Sequence, residues 1–152
     1  MNGMLPFVAS RHSRLVWATV GCIFASLTGC GREPFAHTTV SGKVTYSDGA
    51  PIPVDGLQLI FLSETPPADA KTHPRPARAS VDKGTGAFDS ATTHKAGDGL
   101  ICGKHKVILS SVYGAPLPPN VVPPEYTEPA RTPLEVDTEH QPFELTIRKP
   151  TR

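Results

Sequence analysis

The sequence predicts an all-β chain, about seven short strands packed as a β-sandwich, behind an N-terminal signal peptide. Three observations predict it. Sixteen of the seventeen prolines fall after Cys30, clustered between apolar runs, a density that helices do not survive but edge-limited strands with long loops do. Those apolar runs are too short for helices, several alternate with polar residues at period two, and Gly, Asp and Ser clusters close turns between them. The first thirty residues, in contrast, have the order of an export signal.

That signal runs over residues 1–29. Arg11 and Arg14 supply a positive start with no acidic residue before Glu33, and residues 15–26 (LVWATVGCIFAS) supply an apolar segment. Twelve residues fall short of the ~20 needed to span a bilayer, which favours a cleaved signal over a retained anchor. The small residues of Leu27-Thr28-Gly29-Cys30 follow at once, where a peptidase would cut.

Residues 30–38 carry little apolar material and read as a tether, leaving 39–149 as the domain. Residues 39–46 (TVSGKVTY) put Val40, Gly42, Val44 and Tyr46 on one face, and Ser47-Asp48-Gly49-Ala50-Pro51 closes that strand. Residues 57–62 (LQLIFL) form a nearly continuous apolar run suited to a central strand. Residues 64–76, with four prolines and little apolar material, read as a long exposed loop. Residues 77–81 and 87–91 flank Asp82-Lys83-Gly84-Thr85-Gly86, the composition of a hairpin turn. A long strand follows at 104–113, then seven prolines in the twenty residues 114–133, and finally strands at 134–137 and 143–147, where Phe143, Leu145 and Ile147 alternate with Glu144 and Thr146. Gly42 is expected to let a neighbouring side chain pack against the backbone, and Gly49 and Gly86 to supply positive φ in turns. Tyr126 is expected to plug one end of the core, its hydroxyl bonded to backbone.

Composition narrows the function. Removing residues 1–29 from 152 leaves 123, enough for one domain with a modest core. Arg11 and Arg14 leave with the signal, so thirteen basic residues stand against fourteen acidic ones and the net charge becomes −1. No basic field is left for nucleic acid or anionic lipid. Of the three cysteines, Cys22 belongs to the apolar segment and Cys30 to the cleavage site, leaving Cys102, which its apolar neighbours Leu100 and Ile101 mark as a buried structural thiol.

Two resemblances rest on these residues. Leu27-Thr28-Gly29-Cys30 resembles the lipobox of bacterial lipoproteins, which implies a diacylglyceryl group on Cys30 and Cys30 as the first mature residue. Gly31 then stands where an aspartate would mark inner-membrane retention, pointing to the outer membrane in a cell that has one. The run from Val40 to Pro53 resembles the "GxVTxxDGxPxP" opening of carboxypeptidase-regulatory-like domains. Gly86-Ala87-Phe88 resembles their "DGxF" turn with Thr85 in the aspartate's place, and Gly99-Leu100 with Gly103-Lys104-His105-Lys106-Val107 resembles "DGxxxGxYKV" with His105 in the tyrosine's place. Residues 122–129 and 132–136 resemble "IPxKYxxPxTSxLxVxV" of small lipoproteins carrying that domain, with Glu125 for the lysine. The resemblance implies a Greek-key sandwich of transthyretin-like or Ig-like type.

Catalytic and metal chemistry find little footing. His37, His73, His94, His105 and His140 never pair at zinc-ligand spacing, and His105 is expected to point outward from its strand. Asp82, Asp89 and Asp98 flank two loops that would suit calcium, but their spacing fits no calcium loop and aspartate is a common turn residue. Ser110 and Ser111 lack a Gly-x-Ser-x-Gly elbow. The end, Arg148-Lys149-Pro150-Thr151-Arg152, lacks the Tyr-Arg-Gly-Ser of the hydroxyisourate hydrolases built on the transthyretin-like fold.

The expected function is therefore a non-catalytic, membrane-tethered envelope lipoprotein without a cofactor, held by lipid on Cys30 and contacting other envelope proteins or a surface polymer, with no nucleic acid. The alternative is a glycan- or peptide-binding module using the proline-rich loops, for which Tyr113 and Tyr126 are the available aromatics. A hydrolase is the third reading.

Overall fold

A computed structural model describes residues 33–150, and this part of the chain is all-β, with a single 3-10 turn at Pro124–Thr127 as its only helical element among the described residues. The signal segment and Cys30 lie outside the described residues. Nine strands follow in order: β1 (His37–Thr38), β2 (Gly42–Tyr46), β3 (Leu57–Ser63), β4 (Ala77–Ser80), β5 (Ala87–Phe88), β6 (Leu100–Ile101), β7 (Lys104–Ser111), β8 (Glu135–Asp137) and β9 (Phe143–Ile147). Seven of them overlap the strands expected from period and composition. The two extra ones, β1 and β6, are two-residue segments that pair only with each other, too short to leave a pattern. Their pairing draws His37 and Thr38, read as the end of a tether, into hydrogen-bonded structure.

Two larger sheets enclose the core. One has the order β5-β2-β9 and the other β4-β3-β7-β8. Alternation explains which side faces inward: Leu57, Leu59 and Phe61 of β3 are buried, and the antiparallel register sets Leu59 opposite Leu109 and Phe61 opposite Val107. In the facing sheet, Val44 and Tyr46 of β2 and Phe143, Leu145 and Ile147 of β9 are buried. Phe61 joins the two layers, its ring 6.0 Å from Phe88 and 6.2 Å from Phe143, centroid to centroid. Burying one such side chain stabilises the fold by roughly 1.5–3 kcal/mol. β2 and β9 run parallel, from Gly42 beside Phe143 to Tyr46 beside Ile147.

Gly42 sits where this packing is closest. A Cβ there would run into the Phe143 backbone and the Phe88 ring, as the expectation for this glycine requires. Gly49 and Gly86 have φ of 80° and 75°, the left-handed values that their turns were expected to need.

One expectation is corrected. The turn at residues 82–86 is tight, with Gly86 N–H donating to Asp82 O at 2.8 Å, but it does not close a hairpin. β4 pairs with β3 and β5 with β2, so this turn carries the chain from one sheet to the other. Turn composition reports a reversal but not which neighbours the flanking strands choose. The proline-rich segment 114–133 is drawn against the core. Val122 and Tyr126 are buried, and Thr132 Oγ1 donates to Val107 O at 2.6 Å while Leu134 O accepts from Val107 N–H at 2.9 Å. The segment thus continues the pairing of β7 past the end of β8. Tyr46 Oη donates to Val121 O at 2.9 Å, and the Tyr126 hydroxyl accepts from Arg148 N–H at 3.0 Å, tying the segment to one end of the other sheet, where β2 and β9 finish side by side. The plug expected of Tyr126 is present.

Candidate functional site

Strand β4 shows how a short polar-alternating segment builds a surface. Ala77 and Ala79 turn inward, so Arg78 and Ser80 face outward, and the register puts Gln58 beside Ser80. On the other side of β4, Arg78 N–H donates to Thr92 O at 2.9 Å and Thr92 N–H donates to Arg78 O at 2.8 Å, which brings the 89–99 loop alongside. The exposed loop 64–76 delivers Arg75 between Pro74 and Pro76. Together these elements line a groove of about 540 Å³.

The groove is polar and positively charged. Arg75 Nη1 donates to His94 Nδ1 at 3.1 Å, which requires that ring nitrogen to carry no proton. Four arginines lie among the described residues. Arg131 and Arg148 pair with Glu128 and Glu125 at 3.3 and 2.7 Å, while Arg75 and Arg78, the two in the groove, have no carboxylate of the described residues in ion-pair range. The Asp98 carboxylate in the same loop is already engaged, accepting from the N–H groups of Thr93, His94 and Lys95 at 2.7–2.9 Å. Burial works against its charge, but those three donors outweigh it and hold its pKa below the usual carboxylate value. Thr93 Oγ1 donates to Gly99 O at 2.7 Å, and Thr92 Oγ1 accepts from Gly97 N–H at 3.0 Å. The Ser80 hydroxyl and the Gln58 amide make no side-chain hydrogen bond to the described residues.

The expected site residues fare differently. Leu27, Thr28, Gly29 and Cys30 lie outside the described residues. Tyr113 is 76% exposed just past β7, where a ligand can reach it. Tyr126 is only 7% exposed with its hydroxyl spent on Arg148, so it is corrected from a ligand-binding aromatic to a core residue. The two therefore do not share a binding surface.

Cys102, expected to be buried, is exposed. β6 ends at Ile101, and Gly103 with φ of 119° turns the chain into β7, leaving Cys102 on the corner; its N–H donates to Ala36 O at 2.8 Å. His105, expected to point outward, is 1% exposed. It lies in phase with Val107 and Leu109 on the inner face, its ring edge-on to Phe61 and its Nδ1–H donating to Gly103 O at 3.1 Å. Burial lowers its pKa below the ordinary imidazole value, against smaller opposing effects of the Gly103 carbonyl, Asp137 and Glu64. The period-two pattern of Lys104-His105-Lys106-Val107 carried this information, but the polarity of histidine outweighed it in the reading.

The aspartates considered for calcium serve their own turns. Asp82 accepts from Thr85 Oγ1 and N–H at 2.7 and 2.8 Å, Asp89 accepts from Ser90 Oγ at 3.2 Å, and Asp98 caps residues 93–95. Among the described residues no three His, Cys, Asp or Glu side chains gather to share a metal ion. Arg75 and Arg78 escaped the sequence reading altogether, although Ala77-Arg78-Ala79-Ser80 alternates cleanly and Pro74-Arg75-Pro76 marks a stiff approach to it. Compared with known proteins, the chain matches no family model, no curated protein and no solved structure, which leaves its own residues to carry the functional reading.

Proposed function

We propose that this chain is an exported envelope lipoprotein, held to the membrane by acyl chains on Cys30 and presenting a non-catalytic β-sandwich to neighbouring envelope proteins or surface polymer. The observation that carries the reading is the Leu27-Thr28-Gly29-Cys30 tetrad standing directly after a twelve-residue apolar segment with Arg11 and Arg14 before it. A buried acyl chain contributes about 0.8 kcal/mol per CH₂, so two or three chains retain a protein on a bilayer without a spanning helix. No helix among the described residues is long and apolar enough to cross a membrane, and on this reading the lipid carries the attachment. The sandwich is of the Greek-key, transthyretin-like type found in carboxypeptidase-regulatory-like domains; the support is the Val40 to Pro53 motif together with a chain that passes between sheets from β2 to β3, β4 to β5 and β8 to β9. Fractionation of cells expressing the wild type and Cys30→Ala tests the anchoring. Wild type in the membrane pellet and the variant released is the expected result, and both forms in the same fraction would sink the reading.

A second reading, a glycan- or peptide-binding module, is favoured by one feature: the exposed loop 64–76 contributes Arg75 and Pro76 to the groove beside β4.

A further inference from the structure

We infer that the groove beside β4 is a binding site for the carboxylates of an acidic polysaccharide, read by Arg75 and Arg78. The inference deepens the binding-module reading and does not depend on the lipid anchor.

Four features lead to it. Among the described residues these two guanidiniums are the ones without a carboxylate partner, while Arg131 and Arg148 are paired. A guanidinium offers its donors in a planar fork that matches a carboxylate, and the gain is largest where no internal acid competes. The backbone that carries each is also fixed before any ligand arrives. Arg78 projects from a strand bonded on one side to β3 and on the other to Thr92, and Arg75 is fixed between two prolines and by its 3.1 Å bond to His94. Preorganisation of this kind lowers the ordering cost of binding.

The uncommitted groups beside the guanidiniums are neutral donors and acceptors, the Ser80 hydroxyl and the Gln58 amide, suited to sugar hydroxyls next to an acid group. An extended peptide finds less here. It would bind by adding a strand to β4, but the edge-facing N–H and C=O of Arg78 are already bonded to Thr92. Another groove among the described residues, about 310 Å³ between β8 and β9, has Glu135, Asp137 and Glu144 on its walls and would repel the same ligand. The charge is therefore complementary at the groove beside β4 and not at this one.

The test uses the full chain solubilised in detergent, with polygalacturonate as the probe and its methyl ester, a polyglutamate peptide and inorganic phosphate beside it. Binding of polygalacturonate that weakens as salt rises, with little binding of the ester, is expected. Arg75→Gln/Arg78→Gln should lose about tenfold or more in affinity, as removal of charge-assisted hydrogen bonds implies, and Lys104→Gln/Lys106→Gln should leave it unchanged. A melting temperature for the arginine variant equal to that of wild type shows that the loss is local. No binding of polygalacturonate, or binding retained in the arginine variant, would overturn the inference. Equal binding of polyglutamate or phosphate would overturn the saccharide assignment. Because fractionation of Cys30→Ala reads the anchor separately, failure of one result leaves the other standing.

Discussion

The two proline-rich loops have similar compositions and opposite fates. Residues 64–76 hold four prolines and stay outside, delivering Arg75 to a polar groove; residues 114–133 hold seven and are drawn inward, with Val122 and Tyr126 in the core. Proline density alone says only that neither segment is a helix and that both are stiff. What separates them is the apolar content between the prolines. The first loop has nothing larger than alanine or proline to bury, while the second carries Val121, Val122 and Tyr126, with Leu134 beyond, and lies against an unfilled stretch of β7. Stiffness then helps in both cases, presenting a charge in one and closing a core in the other.

The largest effects should follow from emptying the inward loop. Tyr126→Ala removes a buried ring and should destabilise the protein by roughly 3–5 kcal/mol in urea unfolding, the range for large aromatic truncations. Tyr126→Phe keeps the ring and strands the Arg148 N–H, which should cost about 1 kcal/mol. If Tyr126→Ala cost no more than an exposed substitution, the segment would not be closing the core. Thr132→Val removes the hydroxyl that donates to Val107 O and should cost about 1–2 kcal/mol, read from the same transition.

The histidines sharpen the division between interior and groove. Burial holds His105 below its ordinary value of 6.5, so the unfolded chain binds a proton at a higher pH than the folded one does. The stability this group supports is complete above the unfolded pKa and declines as pH falls through about 6.5 towards the lower folded value. Urea midpoints should therefore drop between about pH 8 and about pH 5, and His105→Gln should flatten the part of that slope due to this residue. An unchanged slope in the variant would place the sensitivity elsewhere. The smallest effect belongs to the groove, where Arg75→Gln in the outward loop and Arg78→Gln on β4 should each alter stability by less than about 0.5 kcal/mol.

Much of the sandwich was legible because alternation is a local property. Val44 and Tyr46, the Leu57 to Phe61 run, and Phe143, Leu145 and Ile147 each announced a buried face, and Gly42, Gly49 and Gly86 announced their constraints. Partner choice was not local. The turn at 82–86 was recognised, yet whether Ala77 and Phe88 pair with each other or with β3 and β2 depends on the total apolar surface each sheet can bury. The pairing of β1 with β6 joins segments more than sixty residues apart through two residues each, leaving no period to detect. The groove was hidden for a related reason. Arg75 and Arg78 are ordinary surface arginines in sequence, and only the Thr92 bridge, which brings a distant loop beside β4, makes them the walls of one site.

The central claim is that Cys30 is the lipid-bearing first residue of the mature protein, and the mass of the N-terminal peptide from detergent-extracted membranes tests it most directly. A peptide beginning at Cys30 and carrying a diacylglyceryl group, absent from Cys30→Ala, is the predicted result. A peptide beginning elsewhere, or an unmodified Cys30, would contradict the account.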